Sequence, residues 1–215
     1  MARLGIAGGN ATEGIDLGGV EWTAIDRHGE RGYTLPHLID HQANMRRLAE
    51  AGCDRVLGIA SVGGLQPQYG PGTFLSPDDF ISLQAPLTTL EGREAHQVIG
   101  FDADWRARVI EEWAGQAEPP LVDGGVYWQA LGPRLETPAE VRLAARDADV
   151  IGMTIASECV VAAELGLSYA AVCVVVNYAN GVGDAKLTIG ELERGQAANR
   201  DQLARVLDAL IPALA

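Results

Sequence analysis

The sequence predicts an α/β fold in one domain, with a central mixed β-sheet flanked by helices. Short runs of β-branched residues alternate with segments of helical periodicity, which is typical of a sheet covered by helices. The run at 169–176, YAAVCVVV, is almost continuously apolar, as expected of a strand buried on both faces. No repeat, low-complexity tract or linker divides the 215 residues, so 1–215 is predicted to be a single domain.

Seven strands are predicted from runs of β-branched and apolar residues. They are Leu4–Ala7, Val20–Ile25, Arg55–Ala60, Phe74–Ser82, Val126–Ala130, Val150–Thr154 and Tyr169–Val176. The segment 84–101 has weak periodicity, and 115–125 is punctuated by glycine and proline. Both segments are therefore predicted to be surface loops, the first long enough to form a lid or an arm between subunits.

Five helices are predicted from their 3.6-residue periodicity and their end signals. They are His41–Ala51, Asp104–Gly115, Pro138–Arg146, Ser157–Leu165 and Ile189–Leu214. Thr137 and Glu140 form the pattern of a capping box with Pro138 at the first helical position, and Thr188 with Glu191 repeats that pattern. These two helix starts carry the clearest local signals in the chain.

The composition narrows the classes of function that the chain can have. A formal charge of -13, from 16 basic and 29 acidic residues, gives no overall attraction to nucleic acid or to anionic membranes. No apolar run approaches the roughly 20 residues of a membrane span, and the first residues lack a signal-peptide core. The three cysteines show no metal-binding spacing. A cytoplasmic protein with reduced thiols and no bound metal is therefore expected. The glycines after the first strand lack the spacing of a Rossmann or Walker motif, so no nucleotide cofactor is expected.

Several polar or glycine-rich motifs directly follow predicted strands. Gly8-Gly9-Asn10 follows the first strand, Arg27-His28-Gly29 follows the second, and Ser61 begins a small-residue turn after the third. Ligands of open α/β sheets bind in the crevice beyond the strand ends. Glycines let the backbone approach an anion, and arginine presents a planar, always charged fork for phosphate oxygens. The motifs therefore indicate an anion-binding crevice.

The segment from Gly132 to Asn177 is the most informative part of the chain. It contains, in order, a loop glutamate, a helix, a strand that ends in Met153-Thr154, a second helix, and a strand that ends in Asn177. This order resembles the trimeric purine nucleoside phosphorylase and methylthioadenosine phosphorylase family. Members of that family split the bond between a purine and a ribose with inorganic phosphate, so the resemblance implies a nucleoside phosphorylase-like fold and activity.

The resemblance also implies which residues bind phosphate. They are Asn10, Arg27, His28, Ser61 through its main chain, and Thr154. Pro36 and the helix opening Gln42-Ala43-Asn44 continue the family pattern. The chain departs from it in two places, with Asn10 where the family has serine or threonine and Ser157 where a proline is usual. It is also short between 14 and 20, where a hairpin is usual.

The same resemblance implies a base-recognition pair, Glu136 and Asn177, with Met153 packed on the ribose and Leu135 and Ala179 beside the ligand. A 6-oxopurine offers a donor at N1 and acceptors at O6 and N7, which suits a carboxylate together with a carboxamide. Adenine-specific members place aspartates at positions 177 and 179, and this chain has neither. The pair therefore favours a 6-oxopurine.

The 5′ end of the sugar is predicted to meet an apolar surface. No histidine follows His96 to meet a 5′-hydroxyl, and Ile189 and Leu192 resemble the lining that accepts a 5′-methylthio group. Together with the oxopurine pair, this pattern is similar to that of methylthioinosine phosphorylases. Glu193 departs from the apolar lining.

The expected partners are a purine nucleoside and phosphate, with neither nucleic acid nor a membrane. The resemblance implies a homotrimer, possibly a hexamer, in which the region of His96 completes the neighbouring subunit's pocket. Methylthioadenosine phosphorolysis, nucleoside hydrolysis and non-catalytic nucleoside binding on the same fold stay open as alternatives, because a fold alone does not establish an activity.

Overall fold

A computed structural model describes residues 3–29, 32–83, 87–92, 96–116, 118–183 and 187–215. These residues form a nine-stranded mixed sheet with helices packed on both faces, which confirms the predicted α/β class. The strands are β1 Leu4–Gly8, β2 Trp22–Asp26, β3 Arg55–Gly64, β4 Phe74–Ser76, β5 Asp79–Ser82, β6 Leu121–Asp123, β7 Val126–Gln129, β8 Val150–Gly152 and β9 Ser168–Tyr178.

The helices are α1 His41–Glu50, α2 Ala103–Gln116, α3 Pro138–Ala144, α4 Ile155–Glu164 and α5 Ile189–Leu214. Both predicted capping boxes form, at Thr137 with Glu140 and at Thr188 with Glu191. Within the described ranges, none of the helices combines the length and the apolar character needed to cross a membrane.

β3 and β9 lie at the centre of the sheet. The strand order is β5-β7-β8-β3-β9-β4-β6, and β1 pairs with β3 and with β2 beside this path. β3 runs parallel to β1 and β9 and antiparallel to β8, while β4 is antiparallel to β9. The C-terminal half of β3 therefore lies close to the ends of β1, β2, β8 and β9.

The central strand β9 is buried on both faces, as its apolar sequence predicts. Ala171, Cys173 and Val175 pack into a core with α1 and α4. Their neighbours in sequence pack into a second core with α2 and α5, because successive side chains of a strand point to opposite faces. Two helical layers thus hold β9 in place.

The structure corrects several of the predicted elements. β3 continues to Gly64 instead of ending at Ala60, so Ser61 lies inside a strand and not in a turn after one. Phe74–Ser82 is not one strand but two, β4 and β5, because Pro77 has no N–H to continue the ladder. β6 lies within the segment predicted as a loop at 115–125. The second strand begins at Trp22 rather than Val20, and α4 begins at Ile155, two residues before the predicted start.

A β-bulge interrupts the pairing of β3 with β9 near the end of both strands. Val62 pairs with Val175 and Gly63 pairs with Asn177, so Val176 is the extra residue. In a regular strand Val176 and Asn177 would point to opposite faces. A bulge changes the direction of the strand and re-aims the side chains that follow it. This irregularity lies beside the cavity described next.

Candidate active site

One cavity collects the residues that follow the strand ends. It is lined by eleven of the twelve predicted site residues: Asn10, Arg27, His28, Ser61, Leu135, Glu136, Met153, Thr154, Asn177, Ala179 and Leu192. The twelfth, Ile189, does not line it. Pro36, Val176, Leu187 and Gln196 also contribute. The predicted phosphate residues and the predicted base residues therefore share one cavity.

Arg27 is held by a buried network of charged and polar groups. Its Nε donates to Glu158 Oε1 at 2.6 Å and its Nη2 donates to Oε2 at 3.0 Å, with the two side chains 1% and 0% exposed. The Tyr169 hydroxyl donates to Glu158 Oε2 at 2.6 Å. Burial would lower the pKa of Arg27, but the Glu158 carboxylate raises it above its ordinary value. The guanidinium is therefore permanently charged and fixed in position.

The hydrogen bonds of Arg27 to other described residues leave one of its N–H groups for a ligand. Besides its two bonds to Glu158, Nη1 donates to the carbonyl of Ile59 at 2.6 Å and Nη2 donates to that of Ala7 at 2.7 Å. These four bonds leave one of the five guanidinium N–H groups, on Nη1. A Cβ added to Gly9 would lie 2.6 Å from Nη1. Because Gly9 has no Cβ, it leaves space for Nη1 of Arg27 at this position.

His28 is held in one tautomer at the rim of the cavity. Its Nδ1 lies 2.8 Å from the carbonyl oxygen of Thr34, and because a carbonyl can only accept, Nδ1 carries the proton. Tyr33 stacks on the ring with centroids 4.5 Å apart, and its hydroxyl accepts from Asn10 at 3.0 Å. Burial lowers the pKa of His28. The ring is therefore neutral near pH 7, with Nε2 as an acceptor.

Thr154 precedes α4 but does not cap it with its side chain. The hydroxyl of Tyr127 instead accepts from the N–H groups of Thr154 and Ile155, at 3.1 and 3.4 Å. Gln129 Oε1 accepts from the N–H groups of Ala156 and Ser157, and its Nε2 donates to Ser157 Oγ. Ser157, which stands where the family has proline, thus joins this cap, and the Thr154 hydroxyl is left available to the cavity.

Ser61 lies on β3, two residues beyond Ile59, and adds a hydroxyl group to the cavity. Its Oγ is buried and has no hydrogen-bond partner among the described residues. A buried hydroxyl without a partner costs free energy, and a ligand in the cavity could supply that partner.

Glu136 and Asn177 also line the cavity. Arg27 bonds to the carbonyl of Ile59, whereas Asn177 pairs with Gly63, four residues further along β3. Asn180 donates from Nδ2 to the carbonyl of Glu136 at 3.1 Å, which ties the glutamate loop to the residues after β9. Burial raises the pKa of the Glu136 carboxyl. Asn177 Nδ2 donates to the carbonyl of Tyr178 at 2.7 Å, so one amide N–H and the amide oxygen remain for a ligand.

Helix α5 contributes part of the cavity wall. A Cβ added to Gly195 would lie 1.8 Å from the carbonyl oxygen of Val176, so only glycine lets α5 pack directly on the bulge of β9. Leu192 and Gln196 are four residues apart and therefore lie on one side of the helix. Both line the cavity.

The placement of Ile189 in the cavity is wrong. Its side chain is 61% exposed, whereas Leu187, just before the helix cap, lines the cavity. The Thr188 cap turns the chain at this point, so the residue before the cap faces inward and the residue after it faces solvent. Glu193 is also exposed and does not narrow the pocket. Gln196 was not among the predicted site residues. Its four-residue spacing from Leu192, which places both on one side of the helix, could have indicated that it lines the cavity.

Two further predictions concern metals and His96. Across the described ranges, no three histidine, cysteine or carboxylate side chains converge in a group that could hold a metal ion. His96 is exposed and contributes to none of the lining described above. Its predicted role across a subunit boundary stays a prediction.

The chain belongs to the phosphorylase superfamily, whose family model matches residues 16–212. This confirms the resemblance found in the sequence. Curated relatives carry the names of nucleoside phosphorylases, and the prediction of an enzyme of the purine nucleoside phosphorylase type is confirmed at that level.

Three comparisons illustrate the relationship. A protein of Archaeoglobus fulgidus named probable 6-oxopurine nucleoside phosphorylase is 36% identical over 93% of this chain and 84% of its own length. A Pseudomonas syringae protein named probable S-methyl-5′-thioinosine phosphorylase is 34% identical over 90% and 83%. The solved methylthioadenosine phosphorylase of Schistosoma mansoni with tubercidin is similar in fold, with a TM-score of 0.80, 20% identity, and coverage of 99% of this chain and 92% of that one.

Proposed function

We propose that this enzyme cleaves the N-glycosidic bond of 6-oxopurine nucleosides with inorganic phosphate, giving the free purine and a ribose 1-phosphate or its 5′-derivative. The observation that carries the proposal is the composition of the cavity. Anion-binding groups around Arg27 and the Glu136–Asn177 pair line the same cavity, with Arg27 bonded at Ile59 and Asn177 paired with Gly63 further along β3. The relatives named for 6-oxopurine and methylthioinosine substrates support the same chemistry.

Phosphate would be held mainly by hydrogen bonds rather than by net charge. Glu158 neutralises Arg27, and burial keeps His28 neutral. The donors available are the remaining Nη1–H of Arg27 and the hydroxyls of Thr154 and Ser61. Asn10 lines the same end. The acceptor Nε2 of His28 suits the P–OH of monohydrogen phosphate, since a fully deprotonated oxygen would be repelled.

The reaction is a displacement at C1′ of the ribose. A phosphate oxygen forms a bond to C1′ as the bond from C1′ to N9 of the purine breaks, and the bonding electron pair passes to the purine. The remaining N–H of Asn177 donates to N7, or to O6, as negative charge develops on the base. Glu136 accepts from N1–H, and Met153 packs against the ribose. Positioning and stabilisation of the leaving group supply the rate enhancement.

Base selectivity follows from the Glu136–Asn177 pair. A 6-amino group is a donor, so it cannot accept from the Asn177 amide as O6 does. Unpaired polar groups in a buried site are costly, and this cost gives the discrimination. The apolar side chains of Leu187, Leu192 and Val176 would receive a 5′-methylthio group.

The first test is release of the free base from inosine, 5′-methylthioinosine and 5′-methylthioadenosine, each with and without phosphate. We expect phosphate-dependent release of hypoxanthine. In the Asn177→Asp variant, the ratio of kcat/KM for the oxopurine to that for the aminopurine should fall about tenfold to a hundredfold. Release without phosphate would identify a hydrolase, and no turnover at all would favour a binding protein.

Assembly and location also belong to this proposal. We propose a homotrimer, since Leu83, Leu131 and Leu143 are 76%, 61% and 52% exposed in the single chain and line one groove. Exposed apolar patches commonly mark interfaces. Sedimentation of the purified protein measures this state. We also propose a cytoplasmic location, which the three buried free thiols favour. No cofactor is needed beyond phosphate as co-substrate.

A further inference from the structure

Gln196 is a polar side chain in an otherwise apolar part of the cavity wall. Leu187, Leu192 and Val176 line the same cavity and are the apolar side chains proposed to receive the 5′ substituent, and Gln196 lies one helical turn beyond Leu192. The residue is partly buried, and its amide makes no hydrogen bond to another described residue. A few convergent polar groups on an apolar wall are what give a ligand site its specificity.

The position of Gln196 differs from that of Leu192 in one respect. Gln196 also lines a second cavity of about 670 Å³, together with Asn10, His28 and Tyr33, whereas Leu192 lines only the first. Gln196 therefore lies between the apolar wall and the rim of the phosphate end. Because Leu192 on α5 is proposed to meet the 5′ substituent, the next residue on that side of the helix is placed to reach the same position of the sugar.

The close packing of α5 fixes this position. Gly195 lies against the carbonyl of Val176, so the backbone of the next residue cannot withdraw from the cavity without breaking that contact. A glutamine amide can both donate to and accept from a hydroxyl, whereas a thioether sulfur is only a weak acceptor. The amide therefore discriminates between substituents at the 5′ position.

We propose that Gln196 is the residue that determines 5′ specificity, and that its amide binds a 5′-hydroxyl and so admits 5′-hydroxyl nucleosides such as inosine beside the 5′-methylthio compound. This inference rests on the proposed phosphorolysis. It identifies a residue that the sequence pattern of apolar 5′ lining does not include. The substrate class is 6-oxopurine nucleosides with an unmodified ribose.

The test compares Gln196→Met with the unmodified enzyme, because methionine keeps the length of the side chain and removes its amide. We expect kcat/KM for inosine to fall about tenfold to a hundredfold, as for loss of a hydrogen bond in a buried site. The value for 5′-methylthioinosine should stay the same or rise, and 5′-deoxyinosine should respond as the methylthio compound does. The ratio of kcat/KM for inosine to kcat/KM for 5′-methylthioinosine does not change when a variant merely contains less folded protein.

Gln202→Met is the matched control, since Gln202 lies on the same helix and lines neither of these two cavities. It should leave the ratio unchanged. An unchanged ratio in Gln196→Met, or a rise confined to the KM for phosphate, would overturn the inference while leaving phosphorolysis intact. Absence of phosphate-dependent turnover in the unmodified enzyme would instead overturn the proposed function.

Discussion

The two ends of the cavity hold their polar groups in different ways. At the phosphate end, Arg27 and Glu158 are almost fully buried and share two hydrogen bonds, and Arg27 is further tied to two main-chain carbonyls. At the base end, Glu136 and Asn177 are only partly buried, and Asn177 makes one local hydrogen bond.

This difference indicates which end of the site is adaptable. A buried ion pair with satisfied hydrogen bonds cannot lose a member without leaving an uncompensated charge. A partly exposed carboxylate or amide can be replaced at little cost to folding. For the proposed function, we therefore expect changes around Glu136 and Asn177 to alter substrate specificity more readily than phosphate binding.

The largest effect should come from Glu158→Gln. This change leaves the Arg27 guanidinium buried without its counter-charge, and we expect the free energy of unfolding to fall by about 3–5 kcal/mol. Urea unfolding measures it, with an unchanged m-value as evidence that the compactness of both states is preserved. The KM for phosphate should also change more than the KM for the nucleoside.

The exposed pair formed by Arg134 and Glu140 is the control for that prediction. Arg134→Gln breaks an ion pair of 2.7 Å whose side chains are 66% and 45% exposed. We expect little measurable change in stability, because exposed pairs are well solvated. Equal losses in the two variants would mean that burial does not distinguish the phosphate end.

Gly195→Ala should have an intermediate effect, confined to the base and 5′ end. The added Cβ would lie 1.8 Å from the Val176 carbonyl oxygen, so α5 must move away from β9. We expect a loss of about 1–3 kcal/mol from overpacking, although alanine is the better helix former. The KM for the nucleoside should rise while the KM for phosphate stays close to its original value.

Gly190→Ala is the matched change in the first turn of the same helix. A Cβ there meets only the end of the flexible Arg194 side chain, at 3.3 Å. This variant should be as stable as the original or slightly more stable. If Gly195→Ala behaved in the same way, the close contact with Val176 would not determine the position of α5.

The smallest effect should be a dependence of stability on pH through the buried histidines. Burial lowers the pKa of His28 and of His41 below the ordinary value of 6.5. The unfolded chain therefore binds protons near pH 6.5 that the folded chain does not. The free energy of unfolding should be constant above that pH and should fall as the pH drops through the folded-state pKa values.

His41→Gln separates this contribution from the chemistry of the cavity, which His41 does not line. The variant should lose less stability between pH 7.5 and 5.5 than the original does, measured by urea midpoints at each pH. An identical slope in the two proteins would mean that His41 does not contribute to the pH dependence.

Local sequence signals were sufficient for several elements, and most of the predicted site residues line one cavity. α5 has the predicted bounds, and α3 begins at the predicted residue, because a capping box and a proline define their starts within a few residues. Eleven predicted residues line one cavity. The parallel strands β1, β2, β3 and β9 end on one side of the sheet, and β8, antiparallel to β3, brings Met153 and Thr154 back to the end of β3. The prediction that Ile189 lines the cavity was wrong, because residue spacing does not show which residue of the first helical turn contacts the rest of the protein.

The sequence by itself determined the class of fold, the starts of α1, α3 and α5, and the chemical types of the groups in the cavity. Periodicity, caps and strand-end motifs are local properties, so they can be read from neighbouring residues. Only the tertiary structure decided that Val176 bulges, that Gly195 packs on its carbonyl, and that Glu158 neutralises Arg27. These contacts join residues far apart in the chain, and their existence depends on distances that no local pattern encodes.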